Sequence, residues 1–261
     1  MSTPAQLFSL TGKCALVTGG SRGLGFQIAE ALGEAGARVL VTSRKAGDLE
    51  VAVERLRAKG VDAHWLAADA GDAAQVQQLL KGTLDKLGTI DVLVNNAGAT
   101  WGAPAEDYPL EAWDKVMGLN VRAPFLLTQA VGKAAMIPRR SGRIINIASV
   151  AGLGGNPPEM TTIAYNTSKA ALINFTRALA CEWGRHGITV NALAPGFFPS
   201  KMSQGLLEKW GKDKVASHAP LKRLGDDDDL KGAALLFASA AGKHITGQVL
   251  AVDGGASCVV G

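Results

Sequence analysis

Aromatic side chains are scarce, at 5% of 261 residues. Beside 32 glycines, so few rings suit close packing of helices on a sheet better than a β-sandwich or a barrel. Cysteine occurs three times, at Cys14, Cys181 and Cys258, far apart and never as Cys-x-x-Cys. That argues against a disulfide scaffold or a structural zinc site, and for a reducing, cytoplasmic setting. No uninterrupted apolar run approaches the roughly 18 to 20 residues that span a bilayer, so no membrane partner is expected. The opening Met1-Ser2-Thr3-Pro4-Ala5-Gln6 lacks the basic-then-apolar pattern of a secretion signal. Long basic runs are missing too: a net charge of +4 is spread over small groups such as Arg139, Arg140 and Arg143. A nucleic-acid surface is therefore not expected, whereas an anionic cofactor or acyl carrier is compatible with the charge.

What is present is a regular alternation. Short β-branched runs (Cys14–Thr18, Arg38–Thr42, Ala63–Ala67, Val92–Val94, Arg143–Ile147, Thr189–Leu193, Val249–Val252) alternate with amphipathic stretches (Leu24–Ala35, Gly47–Ala58, Ala73–Leu87, Leu110–Met136, Ala164–Trp183, Asp227–Ser239). Strand followed by helix, repeated, gives right-handed βαβ units. The expected fold is α/β: a single-domain Rossmann-type, doubly wound parallel sheet of about seven strands with helices on both faces, over residues 1–261. Residues 195–225 break the rhythm, and a connection this long is expected to be a substrate lid. The acids Asp226 to Asp229 sit where they favour a helix dipole, and no metal site is expected there.

The first strand runs straight into Thr18-Gly19-Gly20-Ser21-Arg22-Gly23-Leu24-Gly25 and then a helix. Glycines at Gly19, Gly23 and Gly25 permit a tight turn and close approach to a pyrophosphate, which the helix N-terminus attracts. Tyr165 and Lys169, four residues apart, share one helical face. A phenol of ordinary pKa near ~10 is a poor proton carrier at neutral pH. A neighbouring ammonium, helped by the positive charge of an oxidised nicotinamide, is expected to lower that value, so that Tyr165 exchanges a proton with a carbonyl or alcohol oxygen. Ser149 is placed to hydrogen-bond the same oxygen. The end of the second strand carries Ser43 and Arg44 where an NAD site would carry an acid. With Arg22 as a second guanidinium fork, this favours the 2′-phosphate of NADP(H).

The spacing Thr-Gly-x-x-x-Gly-x-Gly, followed in order by Asn95-Asn96-Ala97-Gly98, Asn120, Ser149, Tyr165-x-x-x-Lys169 and Pro195-Gly196, resembles the short-chain dehydrogenase/reductase family over roughly residues 10–255. The resemblance implies Asn120, Ser149, Tyr165 and Lys169 as catalytic residues, with Lys169 also on the nicotinamide ribose and Asn120 holding a water that links it to solvent. It implies cofactor contacts at Gly19, Ser21, Arg22, Gly23, Leu24, Gly25, Ser43, Arg44, Asp69, Ala70, Asn96, Ala97, Gly98, Tyr165, Lys169, Pro195, Gly196, Phe198 and Ser200. Among these, Asp69 would meet the adenine amino group, Asn96 to Gly98 would lie along the adenine ribose, and Ser200 stands where the family usually has Thr. The loop from Ser149 to Tyr165 is about three residues longer than is common in the family. The resemblance also implies a homotetramer formed through the long helices, with Ala170, Ala171, Phe175, Ala178 and Leu179 giving one of them an extra apolar surface.

The expected substrate pocket, Thr100, Trp101, Leu153, Asn156, Met160, Phe197, Phe198 and Met202, is mostly apolar. That favours a 3-oxoacyl thioester or similar ketone, and the flanking stretches resemble 3-oxoacyl thioester reductases. Gluconate-type dehydrogenases are nearly as similar and keep a sugar or polyol substrate open. Two non-enzyme readings, an NADPH-binding sensor and a scaffold, fit the catalytic set less well.

Overall fold

In the computed structural model, which describes residues 1–259, every residue of the first strand, β1 (Cys14–Thr18), is buried. A strand without a polar face needs cover on both sides. It lies inside a parallel sheet with β2 (Arg38–Ser43), β3 (Ala63–Ala67), β4 (Val92–Asn95), β5 (Gly142–Ile147), β6 (Ile188–Pro195) and β7 (Val249–Val252), in the order β3-β2-β1-β4-β5-β6-β7. The helices are α1 (Pro4–Phe8), α2 (Gly23–Glu34), α3 (Ala46–Ala58), α4 (Ala73–Leu87), α5 (Leu110–Met117), α6 (Ala123–Val131), α7 (Ile137–Arg139), α8 (Ile163–Trp183), α9 (Gln204–Trp210), α10 (Lys212–Ser217) and α11 (Lys231–Ala238). Alternate residues of the central strands divide between two cores. Ala15, Val17, Val39 and Val41 meet α2, α3 and α11, whereas Cys14, Leu16 and Leu40 meet α4, α6 and α8. The strand order reverses between β1 and β4, so the crevice beyond their carboxyl ends is the natural ligand site. Among the described residues no helix is long and apolar enough to cross a membrane.

The single helix expected over Leu110–Met136 is interrupted twice. Gly118–Arg122 and Gly132–Met136 are π-helical. Each stretch closes on a bond back to the fifth residue, Ala123 N–H to Gly118 and Ile137 N–H to Gly132, and the next residue in each case is a proline, Pro124 or Pro138. Pro124 cannot donate to the Asn120 carbonyl, nor Pro138 to that of Ala134, so the ladder widens. Helix α11 starts later than the expected Asp227, because Asp226 to Asp229 form a turn against Arg223, which donates to both carboxylate oxygens of Asp229 and holds that acid down at about 2.

One expectation about apolar surface is corrected. Leu179, assigned to an exposed face of α8, is 8% exposed and packs into the core beneath the sheet. Phe198 is also largely buried while it lines the cleft; its ring presses on Gly225, where even a Cβ would meet it at 2.3 Å. The segment 195–225 is therefore anchored at both ends, by Phe198 and by Gly225 N–H donating to the Phe197 carbonyl at 2.9 Å, and carries α9 and α10 between them. The last two residues of the expected domain, Val260 and Gly261, lie outside the described residues.

Candidate active site

The carboxyl ends of the strands open into a cleft of about 2050 Å³. All of the catalytic and cofactor-binding residues selected from the sequence line it except Asn120, which lies buried behind the wall.

Thr18, the last residue of β1, fastens the switch point. Its hydroxyl donates to Val94 O at 3.3 Å and accepts from the N–H groups of Asn96 and Ala97, both at 3.0 Å. Asn96 returns the link: its amide donates to Thr18 O at 2.9 Å and Gly19 O at 3.1 Å. The Asn96 side chain thus fixes the glycine turn, and Asn96, Ala97 and Gly98 all line the cleft. Gly19 has φ of +64°, and a Cβ on Gly25 would stand 2.4 Å from Gly19 O, so the turn packs as closely as glycine permits. No side chain caps α2, whose N-cap is Arg22. A bare turn with an uncapped helix N-terminus is the shape and charge that a pyrophosphate needs.

The far end of the cleft is basic. Arg44 is exposed and makes no ion pair among the described residues, while Arg22 stands 3.6 Å from Asp48. Asp48 sits in the first turn of α3 and faces Arg22. The Ser43 hydroxyl is buried without a partner. Asp69 accepts from Gly71 N–H at 2.9 Å, and the cap of α4 is Asp72. The Ser200 hydroxyl is engaged locally with Ser203 at 3.1 Å.

At the other end, Ser149 follows β5 while Tyr165 and Lys169 face it from α8. Lys169 is 4% exposed, donates to Ile147 O at 2.7 Å and lies 5.5 Å from the centre of the Tyr165 ring. Burial drives its ammonium down to about 8. Burial also raises the Tyr165 phenol above its ordinary value, with the Ser149 hydroxyl partly offsetting it. In the protein alone low polarity penalises both charges, so the tyrosine is held as a neutral acid; the lowering expected from Lys169 together with the nicotinamide charge belongs to the site with cofactor bound.

Asn120 sits in the first π-helical stretch. It brackets Ala99, accepting its N–H at 2.8 Å and donating to its carbonyl at 2.9 Å, and donates also to Ser168 Oγ at 2.9 Å. Ser168 in turn donates to Tyr165 O at 2.7 Å. Sequence reading missed Ser168, and also the buried ladder in which Asn95 donates to Thr128 and Asn146, and Asn146 to Thr176. A polar residue just before Lys169 and paired asparagines ending adjacent strands were the available signals.

On the substrate side Leu153, Met160, Phe197 and Met202 line the cleft as expected, together with Leu206, Trp210 and three lysines, Lys115, Lys201 and Lys209. Trp101 does not; it is 46% exposed and outside the lining. Asn156 borders the cleft, but its amide donates to Thr162 and Asn166, both at 2.9 Å.

Comparison with known proteins agrees with this geometry. The sequence pattern described as short chain dehydrogenase matches residues 13–210. A gluconate 5-dehydrogenase of Gluconobacter oxydans is 40% identical over 256 residues, covering 98% of each chain. A rhamnolipids biosynthesis 3-oxoacyl-[acyl-carrier-protein] reductase of Pseudomonas aeruginosa is 40% identical over 255 residues, covering 95% of this chain and 97% of that one. Among solved structures, a gluconate 5-dehydrogenase from Burkholderia cenocepacia in complex with NADP and tartrate superposes with a TM-score of 0.93 at 35% identity, covering 99% of this chain and 100% of that one.

Proposed function

The chain belongs to the short-chain dehydrogenase family and is an oxidoreductase; from that premise we propose that it reduces an apolar ketone, such as a 3-oxoacyl thioester, to a secondary alcohol with NADPH, within one domain. The observation that carries this reading is the convergence of Ser149, Tyr165 and Lys169 at one end of a cleft whose other end is a glycine turn with basic neighbours. NADPH, when bound, supplies the hydride. Gly19, Ser21, Gly23, Leu24 and Gly25 would hold its pyrophosphate, Arg22 and Arg44 the 2′-phosphate. Asp69 and Ala70 would border the adenine, Asn96, Ala97 and Gly98 the ribose, and Pro195, Gly196, Phe198 and Ser200 the nicotinamide end. Tyr165, protonated at neutral pH, donates its proton to the substrate oxygen, and Ser149 stabilises the charge developing there. Lys169 holds its own proton next to that phenol. Asn120, with its side chain fully engaged, would hold a water through its main-chain carbonyl, which Pro124 cannot bond.

Leucine, methionine and phenylalanine side chains on the substrate wall support the apolar ketone. A sugar-acid substrate is the second reading, favoured by Lys115, Lys201 and Lys209 on the same wall, which suit a carboxylate, and by the gluconate dehydrogenase relative. The phosphate of an acyl thioester would use the same lysines. The segment 195–225 is read as a lid pinned at its ends, with α9 and α10 as the part that closes. NADPH oxidation measured over 3-oxoacyl thioesters, keto-sugar acids and cyclic ketones separates the readings. Tyr165→Phe is expected to abolish turnover and to keep NADPH binding; substantial residual reduction by that variant would overturn the assignment.

A further inference from the structure

The residue after Tyr165 is tied to the loop that follows Ser149. Asn166 lies one position further along α8, about 100° around the helix from the catalytic phenol. Its side-chain NH₂ donates to Ala151 O at 2.9 Å and Gly154 O at 3.4 Å. Its Oδ1 accepts from Asn156 at 2.9 Å and from the Thr162 hydroxyl at 3.0 Å. One amide therefore grips both limbs of the loop 150–162.

Two neighbours show how closely this loop is fitted. Gly152 lies so near α8 that a Cβ would stand 2.6 Å from the Lys169 carbonyl carbon. Thr162 is the N-cap of α8 but makes no capping bond; its hydroxyl goes to Asn166 instead. A Thr at that position ordinarily satisfies a free helix N–H, so the helix end gives up local stability for the tie to the loop. The same loop begins at Ser149, whose Oγ accepts from Ala151 N–H at 3.2 Å. Ala151 is thus held through its N–H by Ser149 and through its carbonyl by Asn166.

We infer that Asn166 is a positioning residue: it clamps the loop carrying Ser149, Leu153 and Met160 to the helix carrying Tyr165, and so sets the two hydroxyls and the substrate wall relative to each other. This rests on the reductase reading above. The two halves of the amide have separable tasks. The donor half holds the turn next to Ser149 and bears on the chemical step; the acceptor half holds 156–162 and bears on substrate binding.

The test combines amide hydrogen exchange over residues 151–160 in the full-length protein with NADPH, and steady-state ketone reduction with enzyme counted by NADPH-binding stoichiometry. Asn166→Ala is expected to raise exchange in that segment, keep the NADPH Kd within about twofold and lower kcat/KM by about tenfold or more, as the loss of several hydrogen bonds implies. Thr162→Val, which removes one acceptor-side arm, should raise KM and leave kcat within about twofold. Asn166→Asp keeps both acceptor bonds and loses both donor bonds, so kcat should fall more than KM rises. Unchanged exchange in Asn166→Ala overturns the inference, as does raised exchange with wild-type kcat and KM, or a loss of activity that only tracks a loss of NADPH-binding sites. Should the unmodified protein reduce no ketone, the reductase reading fails, and the exchange measurement alone still decides whether Asn166 clamps the loop.

Discussion

A lysine with no carboxylate partner among the described residues and 4% exposure is a costly residue to fold. Lys169 titrates at about 8 here, below the 10.5 of a free lysine. The unfolded chain thus binds the extra proton between those values: the penalty is fully present at pH 7 and is relieved as pH rises through about 8 towards 10.5. Lys169→Met is expected to increase unfolding free energy at pH 7 by about 2 kcal/mol, after the lost bond to Ile147 O, with the advantage shrinking as pH rises. Urea titrations of both proteins from pH 7 to about 10 check this; an equal difference at every pH would mean that folding does not lower the affinity of Lys169 for its proton. At the opposite end of the cleft, Arg44 stands free where a carboxylate would otherwise accept from ribose hydroxyls. Arg44→Asp should lower the ratio of catalytic efficiencies for NADPH over NADH by about tenfold or more, since it replaces a guanidinium fork with a repelling charge. An unchanged ratio would place Arg44 outside the cofactor site.

At the scale of elements, the interrupted helix from Leu110 to Arg139 matters most. Leu110–Met136 was legible as one helix by its apolar periodicity, with Pro124 within it and Pro138 just beyond, yet periodicity is silent on whether a proline kinks a helix or widens its turn. The widened turn at Gly118–Arg122 carries Asn120, which meets Ala99 and Ser168. Pro124→Ala restores a donor for the Asn120 carbonyl and allows a regular α-turn. That should rotate Asn120 away from Ala99 and lower kcat by about tenfold, whereas thermal stability should shift by only a few degrees. Wild-type kcat in that variant would show that the π-turn is incidental. The loop 150–162 was legible only as longer than expected; that Asn156 and Thr162 turn inward to Asn166 depended on where α8 begins.

For the whole molecule, the interrupted helix and α8 together leave an apolar face uncovered. Phe125 is 45% exposed and packs edge-on against Phe175, with Leu110 and Ile163 exposed on the same two elements. An aromatic pair of this kind is suited to an interface between copies. Phe125→Glu is expected to convert an assembled protein into smaller species by light scattering at micromolar concentration, and a wild-type protein already monomeric there would exclude a tetramer through this face.

The order of residues alone determined the strand–helix alternation, the glycine turn after β1, the Tyr165–Lys169 pairing and the missing acid after β2. Each depends on neighbours in sequence, on a period or on a spacing, and these act before the chain is compact. Tertiary structure decided what depends on contacts across the chain. Phe198 became a core residue because Gly225 came to lie beneath its ring. Asn96 became a latch because β1 and β4 are adjacent. The Tyr165 phenol became a stronger proton holder, and the Lys169 ammonium a weaker one, because burial in a shared low-polarity pocket opposes both charges whatever their spacing on the helix.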